Sequence, residues 1–103
     1  MIDEQDFKKK ADEALAALNR VLIAASDDYG FEVDFNAGAL GIEFDEPPGK
    51  FVISPNAPVR QIWVSAMARS YKLPWSAEKQ AFAIDAETLS QLLERLARAF
   101  LER

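Results

Sequence analysis

Carboxylates are the side chains in this sequence best suited to chemistry, because the common nucleophiles and soft metal ligands are missing. The 103 residues include no Cys and no His. That composition excludes disulfides, thiolate nucleophiles, imidazole bases and zinc fingers. Carboxylate oxygens, by contrast, suit hard cations. If the chain binds a metal ion, we expect Asp and Glu to hold it.

Five carboxylates are predicted to lie close together where a helix leads into a β-hairpin. Asp27 and Asp28 fall at the junction. Glu32 and Asp34, two positions apart in a strand, project from one face, and antiparallel pairing should add Glu43 from the next strand. The hairpin contains no Lys or Arg, so a bound cation would relieve the repulsion among these charges. Such an open site predicts weak, unselective binding, micromolar or worse.

Three further acids, Asp3, Asp12 and Glu13, lie earlier in the predicted helix and form a second rank of candidate ligands. Lysines at positions 8–10 interleave with them and can neutralise their charge. The alternative interpretation of all eight carboxylates is a solvated polar surface without a ligand.

Trp63 is the second feature with functional potential. It alternates with Ile62 and Val64 in a predicted strand, so it should point away from the face covered by helices. An exposed indole there would anchor a protein interface; the alternative is that Trp63 belongs to the core. The rest of the candidate docking patch comprises Gln61, Ser65, Ser54 and Asn56.

Charge is distributed unevenly along the chain. The net charge is −5, and residues 1–46 hold 12 acidic against four basic residues. This balance argues against nucleic acid and anionic membranes as partners. A cation or a basic protein surface fits the acidic half better. We find no apolar stretch long enough to span a membrane and no secretory signal.

Two amphipathic helices are predicted at the ends of the chain. Apolar residues recur at steps of three and four over about residues 4–25 and again over 86–101. Asp85 stands at the N-cap position of the second helix.

Between the helices the apolar period falls to two. Residues 31–35 and 40–44 form a predicted hairpin around Asn36-Ala37-Gly38, and Glu46-Pro47-Pro48-Gly49 then breaks the chain. Further strands are expected at 51–53, 60–65, around Tyr71 and at 80–84, with a turn from Pro74 to Lys79. The prediction is one α+β domain over residues 1–103: a two-layer α/β sandwich whose antiparallel sheet of about five or six strands carries both helices on one face.

Two segments between the helices carry a recognisable motif. Gly38-Ala39-Leu40 lies in the first hairpin, and Val52-Ile53 leads to Pro58-Val59-Arg60-Gln61-Ile62-Trp63-Val64-Ser65. Together with the residues from Asp85 to Leu93, these segments resemble the frataxin family, and the short chain is similar to its bacterial branch. The resemblance covers nearly the whole sequence.

The resemblance implies an iron-binding accessory protein that docks on a cysteine desulfurase and its scaffold protein, and regulates iron–sulfur cluster assembly. Family members bind iron, Fe2+ or Fe3+, through an acidic ridge on the first helix and strand, and we expect no cluster or organic cofactor. This sequence departs from that pattern at residues 19–26, which contain no carboxylate. A thinner ridge is therefore expected here.

Two functions remain open from the sequence. One is a metal-binding regulator of cluster assembly, and the other is a metal-free acidic adaptor that uses the same surfaces for protein contacts alone. Iron oxidation, with which some family members have been credited, is not expected, because the chain lacks the paired Glu and Glu-x-x-His motifs of ferroxidase sites. We expect a cytoplasmic monomer.

Overall fold

The computed structural model describes residues 2–36, 38–45 and 48–102. Two helices flank a run of strands, and a short 3-10 helix (Ala57–Val59) precedes the fourth strand. The helices are α1 (Glu4–Tyr29) and α2 (Leu89–Leu101). The strands are β1 (Phe31–Asn36), β2 (Ala39–Phe44), β3 (Gly49–Asn56), β4 (Gln61–Ala66), β5 (Arg69–Ser76), β6 (Ala81–Ile84) and β7 (Glu87–Thr88).

The strands form one antiparallel sheet in sequential order, as the short connections predicted. The α+β sandwich is confirmed, but the sheet formed by the described residues has seven strands rather than five or six. β5 continues through Pro74 to Ser76, so the predicted turn at 74–79 begins later. Ala37 of the predicted first turn, and Glu46 and Pro47 of the predicted break, lie outside the described residues.

The seventh strand arises at Asp85, where the prediction of a helix N-cap is wrong. Asp85 and Ala86 both adopt positive φ (50° and 69°), which reverses the chain and pairs Ile84 with Glu87. Thr88 caps α2 instead. Its hydroxyl accepts from the Gln91 backbone N–H at 3.3 Å, while the Gln91 side chain accepts from the Thr88 N–H at 2.9 Å. Helix α2 therefore begins three residues later than predicted.

Both helices pack on the same face of the sheet. Each contributes an apolar stripe, and the core strands contribute alternate residues. Each fully buried Leu, Ile or Phe stabilises the fold by about 1.5–3 kcal/mol. Fully buried side chains include Phe7, Leu15, Leu92, Leu93 and Leu96 from the helices, and Leu40, Ile42, Phe51, Ile53, Ile62 and Leu73 from the sheet.

The polar chemistry of the described residues lies at the surface, because none of their polar or charged side chains is buried. The sheet face opposite the helices, here called the open face, is where successive strands direct their polar residues. No helix within the described ranges is long and apolar enough to cross a membrane.

Candidate metal and partner surface

One end of the open face carries a cluster of three carboxylates, here called the acidic corner: Glu32, Asp34 and Glu43. The β1–β2 register places Glu32 directly opposite Glu43, and Asp34 opposite Gly41. All three acids are exposed. Directly opposed side chains have Cβ atoms about 4.5–5.5 Å apart, so Glu32 and Glu43 repel each other in the absence of a cation.

Strand β3 adds a base that the hairpin lacks. Lys50 pairs with Glu43 across β2 and β3. A Cβ added to Gly41 would lie 3.6 Å from Lys50 Cε, so the lysine stem runs beside Gly41, the residue opposite Asp34. The acidic corner is therefore partly balanced by one ammonium group.

Asp27 approaches the acidic corner, whereas Asp28 does not line the same depression. Helix α1 continues to Tyr29, so both aspartates occupy its last turn. A depression of about 500 Å³ is lined by Asp27 together with the three acids of the corner and Lys50. Among the residues that the structure describes, no three carboxylates are close enough to form a preformed metal site.

The second-rank acids lie far from the corner. Asp3 is the N-cap of α1 and accepts from the Asp6 N–H at 2.8 Å. With a rise of about 1.5 Å per residue, Asp12 lies about 22 Å along the helix from Asp27. Glu13 lines a different depression, beside Trp75. The structure thus separates Asp3, Asp12 and Glu13 from the other candidates.

Trp63 lies near the centre of the open face, and the alternative that placed it in the core is wrong. The residue is 37% exposed. The indole Nε1–H donates to Gln61 Oε1 at 3.0 Å, and Lys72 Nζ lies 5.0 Å from the ring centroid. These contacts hold the ring in one orientation, as an interface anchor requires.

The β3–β4 register places the remaining patch residues around Trp63. Ser54 lies directly opposite Trp63, Asn56 opposite Gln61, and Ser65 opposite Val52. Sequence reasoning missed Val52, which is 37% exposed, and Lys72. The alternation of β3 could have revealed Val52, whereas Lys72 depends on the β4–β5 register.

A strong ion pair lies away from this surface. Arg95 donates from Nε and Nη2 to the two carboxylate oxygens of Glu87 at 2.8 and 2.9 Å. These hydrogen bonds lower the pKa of Glu87 and raise the pKa of Arg95. The pair ties β7 to α2 and is structural.

Comparison with known proteins identifies the family. The family model of the frataxin-like domain matches residues 1–103. The "Iron-sulfur cluster assembly protein CyaY" of Pseudomonas syringae pv. syringae (strain B728a) is 36% identical over 73 residues, which cover 67% of this chain and 66% of that protein. The protein of the same name from Dechloromonas aromatica (strain RCB) is 29% identical over 96 residues, 93% of this chain and 90% of that protein.

A solved structure shares the fold. The frataxin from Psychromonas ingrahamii, described as a model for stability modulation within the CyaY protein family, aligns with a TM-score of 0.68 at 18% identity. The alignment covers 98% of this chain and 90% of that one. The chain therefore belongs to the frataxin-like family, in its bacterial CyaY branch.

Proposed function

We propose that this chain is an iron-binding accessory protein of iron–sulfur cluster assembly that contacts a cysteine desulfurase and a scaffold protein. The names of its CyaY relatives support the pathway. One observation supports the molecular role: a single open sheet face carries both the repelling pair Glu32–Glu43 and the oriented, exposed Trp63.

Iron in this proposal is a weakly held cargo. Carboxylate oxygens are suitable ligands for Fe2+ and Fe3+, and a cation would relieve the Glu32–Glu43 repulsion. Because the described acids form no preformed site of three, binding requires them to rearrange and to keep water on the metal. Weak affinity follows.

The two parts of the face suit different partner surfaces. The acidic corner would meet a basic desulfurase surface, and such charge complementarity accelerates association and weakens with salt. Trp63 and Val52 would contact the scaffold protein, where burial of apolar area carries more of the binding energy.

An NMR titration tests the metal site. Amide shifts are recorded as Fe2+, under anaerobic conditions, or Co2+ is added. We expect changes centred on Asp27, Glu32, Asp34 and Glu43, lost in a Glu32→Gln, Glu43→Gln variant and kept in the matched control Glu78→Gln. Changes confined to Asp3, Asp12 or Glu13, or none at all, would contradict the proposal.

A pull-down with the cysteine desulfurase and scaffold of the host tests the partners. Replacing Asp27, Asp28, Glu32 and Asp34 by Ala should abolish desulfurase capture, as high salt should. Trp63→Ala should weaken scaffold capture, while Val21→Ala, which changes an exposed apolar residue of α1 on the other side of the sheet, should not. Unchanged capture by both variants would refute the assignment.

The metal-free acidic adaptor is the second candidate, and Lys50 favours it. A lysine opposite Glu43 supplies some of the charge balance that a cation would otherwise supply. The adaptor predicts that desulfurase capture persists in metal-free buffer while the iron titration leaves the acidic corner unchanged.

We propose a binding protein rather than an enzyme. Oxygen consumption with Fe2+ should match the protein-free rate. A faster rate that a Glu32→Ala, Asp34→Ala variant abolishes would show ferroxidase activity instead. We also propose a cytoplasmic monomer, which sedimentation and cell fractionation would test.

A further inference from the structure

Strand β1 leaves one edge of the sheet open. Among the described strands, β1 has six residues and pairs only with β2, whereas the opposite edge strand, β7, has two residues and runs directly into α2. In an antiparallel ladder, every second residue directs its N–H and C=O away from the neighbouring strand. In the part of the chain that the structure describes, no hydrogen bond joins these outward groups of β1 to another segment. The edge can therefore accept a further strand.

The groove beside this edge has two chemically different sides. The 500 Å³ depression extends past β1 to the end of α1, where Ile23 lines it. Ile23 is 54% exposed, and Phe35, which points to the helix side of β1, is 39% exposed. On the open-face side the edge presents Glu32 and Asp34. A strand laid here would meet the apolar side chains of Ile23 and Phe35 on the helix side, with Asp27 at the end of α1, and the carboxylates of Glu32 and Asp34 on the open-face side.

We propose that an extended protein segment in which Lys or Arg alternates with apolar residues adds to β1 as an eighth strand. Side chains of a strand alternate between the two faces of a sheet. The basic residues would face Glu32 and Asp34, and the apolar residues would face Ile23 and Phe35. Backbone hydrogen bonds supply affinity, and the alternating side chains supply specificity.

Charge selects this occupant over a second copy of the chain. Pairing two β1 strands edge to edge would place the Glu32 and Asp34 of both copies on one face, and opposed like charges destabilise a strand pair. A basic segment would instead place positive charges opposite Glu32 and Asp34, so the same positions would attract each other. The inference deepens the proposed function by stating the chemistry of a partner segment at the acidic corner. It rests on that function only for the identity of the partner, so it is tested with peptides alone.

Hydrogen exchange and NMR with model peptides provide the test. The probe is a blocked seven-residue peptide of alternating Lys and Val. Its controls are a peptide with the same residues grouped as a Lys block and a Val block, and the alternating peptide N-methylated at every residue. We expect the alternating peptide to slow exchange of alternate amides within residues 31–36 by about tenfold or more. Both control peptides should bind at least about tenfold more weakly than the alternating peptide.

Charge reversal in the protein gives a matched pair of variants. Glu32→Lys with Asp34→Lys should abolish binding of the Lys–Val peptide and create binding of a Glu–Val peptide. Asp12→Lys with Glu13→Lys, an equal change of net charge on α1, should leave Lys–Val binding in place. The gain of Glu–Val binding also shows that the reversed variant is folded.

Three results would overturn the proposal. The grouped peptide could bind as tightly as the alternating one, or the alternating peptide could change amide chemical shifts without slowing hydrogen exchange in β1. The third is that every β1 amide is already protected from exchange in the free protein. If the peptides do not bind β1 while the desulfurase is still captured, strand addition is refuted and the proposed function stands. Failure of desulfurase and metal binding while the peptide still pairs with β1 removes only the proposed function.

Discussion

Replacing Glu32 should stabilise the fold, because its direct cross-strand neighbour is another carboxylate. At about 5.5 Å and with the dielectric constant of water, two unit charges repel by about 0.75 kcal/mol. Glu32→Gln removes this repulsion. Since a domain of about this size gains roughly 4–8 °C in Tm per kcal/mol, we expect an increase of about 3–6 °C at low ionic strength. Glu43→Gln should gain less, because it also loses the attraction of Lys50.

A double-mutant cycle isolates the interaction free energy between Glu32 and Glu43. It compares the thermal and urea denaturation of the two single variants with that of the double variant. The gain should fall by roughly half near 0.15 M salt, where the Debye length is about 8 Å, and should nearly vanish at about 1 M. Glu78→Gln, an exposed acid in the β5–β6 turn, is the control for net charge. An increase in Tm no larger than that of Glu78→Gln, or one that persists in about 1 M salt, where the Debye length is about 3 Å, would refute the electrostatic explanation.

Three further predictions concern the framework that holds this face. Gly49→Ala should destabilise the fold by about 1–3 kcal/mol, because the added Cβ would lie 2.5 Å from Phe100 Cζ; urea unfolding should show partial recovery when Phe100→Leu is added. Because Arg95 lowers the pKa of Glu87, their pair stabilises the fold above the ordinary pKa of the carboxyl, and this contribution is lost as pH falls through the lowered pKa. Urea midpoints followed from about pH 7 to about pH 2 should therefore fall less steeply in Glu87→Gln. Thr88→Ala should cost about 1 kcal/mol by removing the α2 cap, measured as a lower urea midpoint with an unchanged m-value.

Local patterns in the sequence were sufficient to predict the helices, most of the strands and the face to which their side chains point. The apolar period of three and four predicted both helices, and strict alternation predicted that Glu32, Asp34 and Trp63 point away from them. The missing Cys and His restricted any metal chemistry to oxygen ligands. Each of these inferences depends only on neighbours within a few residues, which periodicity records directly.

Which side chains meet across the strands was decided only by the tertiary structure. Lys50 lies opposite Glu43, and Lys72 beside Trp63, because turn lengths set the registers of β3 and β5, and alternation identifies a face without identifying a partner. The same holds for Asp85, whose short polar side chain suits both an N-cap and a left-handed turn. Pairing of β6 with β7 selects the turn. Contacts between distant residues form when the whole sheet closes, so no local pattern contains them.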